Sequence, residues 1–295
     1  MNYGKIVEDS FGLGWKYKSL WIFGMFAGSF GNFNLKYDFG DSLQAGFGQM
    51  DFEALAARLQ QFEEFYFAFA AIGFVMFVLH LICSPALIDG VNKVKRGGVY
   101  NFWSSYSRGI DFFFRVLGLN LLFLAAMIGL SLVAIPMIML LHIFGALLFI
   151  PIFLTGLYII ITLYMLAERA LVVRDCSIGD ALEEAFVLFK QNFAKTAVIA
   201  LIYIGLAFGA LIVLAIMAFF LYRPVNLVVY AITENPIMIF VLAFVLGLPI
   251  SIVLGGFAGT FFHSLYTLFY FGLVDPSTPY AAHPPAAPAP TPTQP

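Results

Sequence analysis

Charge is scarce in this chain. Only 11% of its 295 residues are Asp, Glu, Lys or Arg, against 62% apolar residues and a mean hydropathy of +0.93. In water such a composition would leave large apolar patches exposed, which excludes an ordinary soluble domain. The 15 basic and 17 acidic residues give a net charge of −2, too little positive surface for a nucleic-acid partner. Cysteine is limited to Cys83 and Cys176. Both fall toward the side assigned below to the cytoplasm, where thiols stay reduced, so no disulfide is expected. No His/Cys/Asp/Glu cluster has zinc spacing, no serine sits in a Gly-x-Ser-x-Gly elbow, and no glycine-rich loop precedes a Lys-Ser or Lys-Thr pair. The expectation is therefore no metal, no cofactor and no catalytic constellation.

What the sequence has instead is long uncharged runs. A membrane-spanning helix needs about 20 mostly apolar residues, and six runs qualify, at 20–33, 65–88, 112–139, 145–167, 193–222 and 237–271. The first is short and holds Gly24, Gly28 and Gly31. From 112 to 167 the only charge is Arg115, so this stretch must fold back once, with the turn placed near His142 and Gly145. A signal-peptide reading of 16–29 is set aside because the charged region before it is long.

Lys and Arg remain on the cytoplasmic side of a membrane. With six spans, 12 of the 15 fall on the side of the termini. The other side holds only Lys36, Arg58 and Arg223, against Asp38, Asp41, Asp51, Glu53, Glu63, Glu64 and Glu234. Both termini are therefore expected in the cytoplasm of a bacterial-type inner membrane, with the basic strip facing anionic lipid.

An amphipathic stretch precedes each odd-numbered span. Tyr3, Val7, Phe11 and Trp15 oppose Lys5, Glu8, Asp9, Gly12 and Lys16. Phe102, Trp103, Tyr106, Ile110, Phe113 and Phe114 oppose Asn101, Ser104, Ser105, Arg108, Asp111 and Arg115. After Ser177, Ile178, Leu182, Ala185, Phe186, Phe189 and Phe193 oppose Asp180, Glu183, Glu184, Lys190 and Gln191, and Ser177 with Asp180 makes a capping box. The anchors at the membrane interface are Trp15, Lys16, Lys18, Trp21, Trp103, Arg108, Arg115, Lys190 and Lys195. The expected fold is thus an all-α bundle of six transmembrane helices, built from three hairpins, each preceded by a cytoplasmic amphipathic interfacial helix. It forms one membrane domain over 1–275, with pseudo-repeats at about 1–95, 96–172 and 173–275. The alternative is that aromatic juxtamembrane segments occur in any polytopic protein. A glycine-rich connection after residue 31 leads to an expected helix over 51–64. The uncharged, Pro-rich tail at 276–295 cannot build a core and reads as a disordered cytoplasmic spacer or a ligand for a partner domain.

The stretch Trp15-Lys16-Tyr17-Lys18-Ser19-Leu20-Trp21-Ile22-Phe23-Gly24, then Ala181-Leu182-Glu183-Glu184-Ala185-Phe186 with Phe189-Lys190, and Leu265-Tyr266-Thr267-Leu268-Phe269-Tyr270 resemble a bacterial polytopic membrane protein family of unassigned function. That family is similar to the membrane domain fused to some glycerophosphodiester phosphodiesterases. The resemblance implies a six-helix membrane domain. It carries over no catalytic residue, because the soluble phosphodiesterase barrel is absent.

Polar groups inside a bilayer are costly and become site candidates by default. His80, Asn120 and His263 form a possible intramembrane polar site. His80 and His263 could share a haem, or each could donate a hydrogen bond to a neighbouring helix. Glu168 beside Arg169 reads as a pair at the interface, so no charged residue lines a pathway. Two functions remain: a non-catalytic structural or interaction subunit contacting lipids and other membrane proteins, or a transporter or channel for a small neutral or zwitterionic solute. Pro136, Pro151 and Pro249 favour the second; Gly255, Gly256 and Gly259 read as a helix contact surface.

Overall fold

The computed structural model describes residues 1–28, 66–232 and 236–274, all in helices or short connections. The glycine-rich connection after residue 31, the helix expected over 51–64 and the tail at 276–295 lie outside the described residues. The elements are α1 (Tyr3–Lys16), α2 (Leu20–Gly28), α3 (Tyr66–Lys95), α4 (Phe102–Asp111), α5 (Phe113–Arg174), α6 (Ile178–Gln191), α7 (Phe193–Ile232) and α8 (Pro236–Leu273). Four segments are long and apolar enough to cross a membrane: Ala70–Lys95, Phe113–Val133, Phe149–Arg174 and Phe193–Ala210. The chain is an all-α, multi-pass membrane protein by the length and composition of these helices.

Helix α5 contains 62 residues and at 1.5 Å per residue would be about 93 Å long if straight. It is not straight. The Tyr164 hydroxyl lies 3.3 Å from Asn120 Oδ1, the Phe123 and Tyr164 rings are 5.2 Å apart, and Arg115 pairs with Asp175 at 2.6 Å. These contacts require the chain to reverse within α5, between its two arms Phe113–Val133 and Phe149–Arg174, the stretch in which a turn was expected. Helices α7 and α8 likewise run antiparallel, with Tyr203 against Phe262 at 4.8 Å and Tyr266 at 5.1 Å.

The three short amphipathic helices exist where their periodicity placed them, and each starts on a side-chain cap. Asn2 accepts from the Lys5 amide, Asn101 from the Ser104 amide, and Ser177 with Asp180 completes the capping box. Each buries a pair of small residues four positions apart: Ser10 and Gly14, Ser105 and Gly109, Ala181 and Ala185. Several bulky side chains point outward instead, Trp15 at 60% exposure, Trp103 at 73% and Phe186 at 57%, while Leu188 and Phe189 of α6 are buried. Small residues let backbones approach closely. A Cβ on Gly109 would overlap the Ile82 carbonyl oxygen of α3, and one on Gly14 would press on the Phe257 ring of α8.

Each short helix therefore lies on a different long helix. Helix α4 packs on α3, α6 on the second arm of α5, and α1 on α8. Because α1 meets the last helix, the sequence of contacts closes into a ring. The closure is tightest between α2 and α8: a Cβ on Gly24 would overlap the Gly256 carbonyl and Thr260, and Thr260 Oγ1 donates to the Leu20 carbonyl at 3.0 Å. Gly256 and Gly259 thus form the expected contact surface, while a Cβ on Gly255 would meet nothing within 4 Å. Helix α3 ends in a Schellman turn, with Gly98 N–H to Lys93 carbonyl at 2.8 Å, Gly97 N–H to Val94 carbonyl at 3.1 Å, and Gly97 at φ 74°.

Candidate functional site

Helix α3, the second arm of α5, and α8 carry polar residues one helical turn apart: His80 and Ser84, Tyr164 and Glu168, His263 and Thr267. They converge on one buried cluster. Glu168 and Arg169, each 1% exposed, form an ion pair at 2.6 Å. Ser84 Oγ donates to the other Glu168 oxygen. Arg169 Nη1 also donates to the Met165 carbonyl at 3.2 Å, its Nη2 lies 3.3 Å from His263 Nδ1, and its guanidinium carbon sits 5.7 Å from the centre of the Tyr266 ring. His80 Nδ1 faces the Phe26 carbonyl at 3.3 Å. Asn120 stands at the edge, donating to the Val116 carbonyl at 2.9 Å while Tyr164 OH approaches its Oδ1.

Glu168 and Arg169, expected as a pair at the interface, do pair and are buried by protein. Glu168 lies seven residues before Asp175, about 10 Å away along the helix. Adjacent charges on a helix diverge unless a partner draws them together; here α3 supplies Ser84 and α8 supplies His263. The sequence signal that could have revealed the cluster is the four-residue spacing shared by α3, the second arm of α5 and α8. Two buried polar atoms at the cluster, Arg169 Nε and Ser264 Oγ, have no hydrogen-bond partner among the described residues.

A second layer lies nearer the ends of the spans. Tyr270 OH donates to Glu184 Oε1 at 2.6 Å, and Arg174 Nε reaches the same oxygen at 3.1 Å. Glu184 was expected on the solvated face of its helix, but it is buried between α5 and α8. Burial raises its carboxyl above the ordinary range, and the bonds from Tyr270 and Arg174 only partly offset this. Asp89 holds Lys93 at 2.6 Å and accepts from Ser105 at 2.9 Å, tying α4 to α3. Asp175 receives Arg108 at 2.7 Å and Arg115 at 2.6 Å. Burial raises the Asp175 carboxyl, but the bonds from Arg115 and Arg108 outweigh it and hold the group below the ordinary range. Beside it the Cys176 thiol is pushed up to about 11 by burial and by Glu184 and Asp180.

Comparison with protein-family models, curated proteins and solved structures returned no match. The site therefore rests on its own geometry. Of the residues singled out as anchors, Trp15, Lys16, Lys18, Trp103, Arg115, Lys190 and Lys195 are exposed and Arg108 is half-buried. Trp21 is drawn inward, its indole N–H donating to the Gly14 carbonyl at 2.7 Å. Both cysteines are free.

Proposed function

We propose that this chain is a non-catalytic structural or interaction subunit of a bacterial inner-membrane assembly, with six spans and both termini in the cytoplasm. The observation that carries this reading is that small residues of the short helices pack inward while Phe11, Trp15, Trp103, Ile110 and Phe186, with Phe114 at the start of α5, face outward. Aromatic side chains held at that level suit a membrane interface or a partner's apolar surface, and the neighbouring lysines and arginines suit anionic headgroups. The repeated capped helix, the repeated small pair and the ring of contacts support three tandem units at about 1–95, 96–172 and 173–275. The resemblance to the phosphodiesterase-fused membrane domain stands within this proposal and brings no catalytic residue.

Purification from native membranes in mild detergent tests the proposal. A defined complex is the expected result; a lone monomer across several detergents would remove its basis. A second reading, transport of a small neutral or zwitterionic solute, is favoured by the buried Arg169 Nε and Ser264 Oγ beside an ion pair of both signs. Saturable solute flux in reconstituted vesicles, lost in Arg169→Met, would select transport over the subunit reading.

A further inference from the structure

We propose that Arg108 and Arg115 form a clamp for the phosphate of an anionic glycerophospholipid at the membrane interface. The inference rests on the membrane reading above. Two guanidinium groups converge on the single carboxylate of Asp175, through Arg108 Nη2 at 2.7 Å and Arg115 Nη1 at 2.6 Å. One carboxylate balances one of the two charges, so the trio carries a surplus of one positive charge. Each guanidinium has five N–H donors in a planar fork, of which Asp175 takes one from each.

The clamp is held still. The two guanidinium carbons sit 4.8 and 5.4 Å from the centre of the Phe112 ring, which is itself buried. Asp175 follows the last residue of α5 at φ 54°, the one described non-glycine residue in the left-handed region, so the turn into α6 presents its carboxylate to both arginines. Yet the arginine side chains remain 38% and 47% exposed. Pre-organised guanidinium groups recognise phosphate oxygens through paired donors.

A lipid, rather than phosphate in solution, fits what surrounds them. Ile110 and Phe114 flank the arginines and point outward. A cationic head beside exposed apolar side chains matches an amphiphile whose phosphate meets the arginines and whose chains run along Phe114.

The test is native mass spectrometry of the full chain in mild detergent, titrated with phosphatidylglycerol or phosphatidylcholine of equal acyl chains. The wild type should retain the anionic lipid preferentially, by about fivefold for each arginine engaged. Arg108→Gln with Arg115→Gln should abolish the preference, and Arg115→Gln alone, at the more exposed site, should reduce it if the double variant fails to fold. Asp175→Asn should keep or increase the preference, because it removes the competing carboxylate and leaves both cations. A wild type without preference, a preference that survives the arginine substitutions, or one lost equally in Asp175→Asn overturns the proposal. Displacement of the lipid by millimolar inorganic phosphate without any dependence on acyl chains would make the ligand soluble phosphate, and displacement by an acidic peptide would make it a protein; either outcome overturns the lipid assignment. Alkaline carbonate extraction of native membranes separates the two levels. If the wild type is extracted, the membrane reading itself fails; if it resists extraction but shows no lipid preference, only the clamp fails.

Discussion

At the residue scale the central question is what a buried ion pair does for the fold. Taking two charges out of water carries a large penalty, which their attraction offsets only when remaining hydrogen-bonding groups are met. Glu168 and Arg169 are partnered from three elements, so removing one charge leaves the other uncompensated. Glu168→Gln should destabilise the protein by about 3–5 kcal/mol, and the apolar pair Glu168→Leu with Arg169→Leu should cost less. Thermal unfolding in detergent checks the order of the two; a milder loss in Glu168→Gln would mean that the pair does not brace the bundle. Cys176 offers a second check. Its thiol is moved from 9.0 to about 11, so near pH 8 the folded protein should hold about one hundredth of the thiolate of the unfolded chain. Alkylation by iodoacetamide should be slower by that order in the native state, and equal rates would place Cys176 in water.

At the element scale the surface helices and the reversal of α5 were legible in the sequence. Their periodicity, the capping box at Ser177 and the uncharged length from 112 to 167 are local signals. Which face of each short helix meets protein was not legible. Near a bilayer both neighbours are apolar, so hydrophobic periodicity alone cannot tell a lipid-facing stripe from a packed one; the small pairs Ser105/Gly109 and Ser10/Gly14 decide it. Glu184 escaped for a related reason, because its partner Tyr270 is 86 residues away. Gly109→Leu should therefore detach α4 from α3, seen as proteolytic cleavage within 96–112, whereas Trp103→Leu should leave it docked. The Asp175 contact predicts a pH response with a definite sign. Its folded carboxyl titrates below the ordinary range, so its contribution is complete above that range and disappears as pH falls through the folded value. Trp103 fluorescence should report release of the Asp175 contact on the acid side, and Asp175→Asn, which has no carboxyl to titrate, should remove that transition while α4 stays docked through Ser105 and Gly109. A pH-independent signal in the wild type would mean that Asp175 does not hold α4.

At the scale of the whole molecule the proposed orientation is directly measurable. In a variant without Cys83 and Cys176, Ser107→Cys on exposed α4 should react with an impermeant maleimide only in inside-out vesicles. Labelling from outside intact cells would invert the topology. The four candidate spans and the ring of contacts describe the molecule at different levels: hydropathy along the chain reveals the spans, whereas closure depends on Gly24, Gly256, Gly259 and Thr260 meeting across most of its length. No local pattern contains that information.

The meeting of α2 with α8 has a consequence for biogenesis. Leu20 receives its bond from a residue 240 positions later, so the earliest helices leave the ribosome long before their final neighbour has been synthesised. Until then the backbone groups and glycine faces of α2 must wait in lipid or in the hands of the insertion machinery. The contact between α2 and α8 therefore cannot form until α8 has been synthesised, which places it among the late steps of assembly.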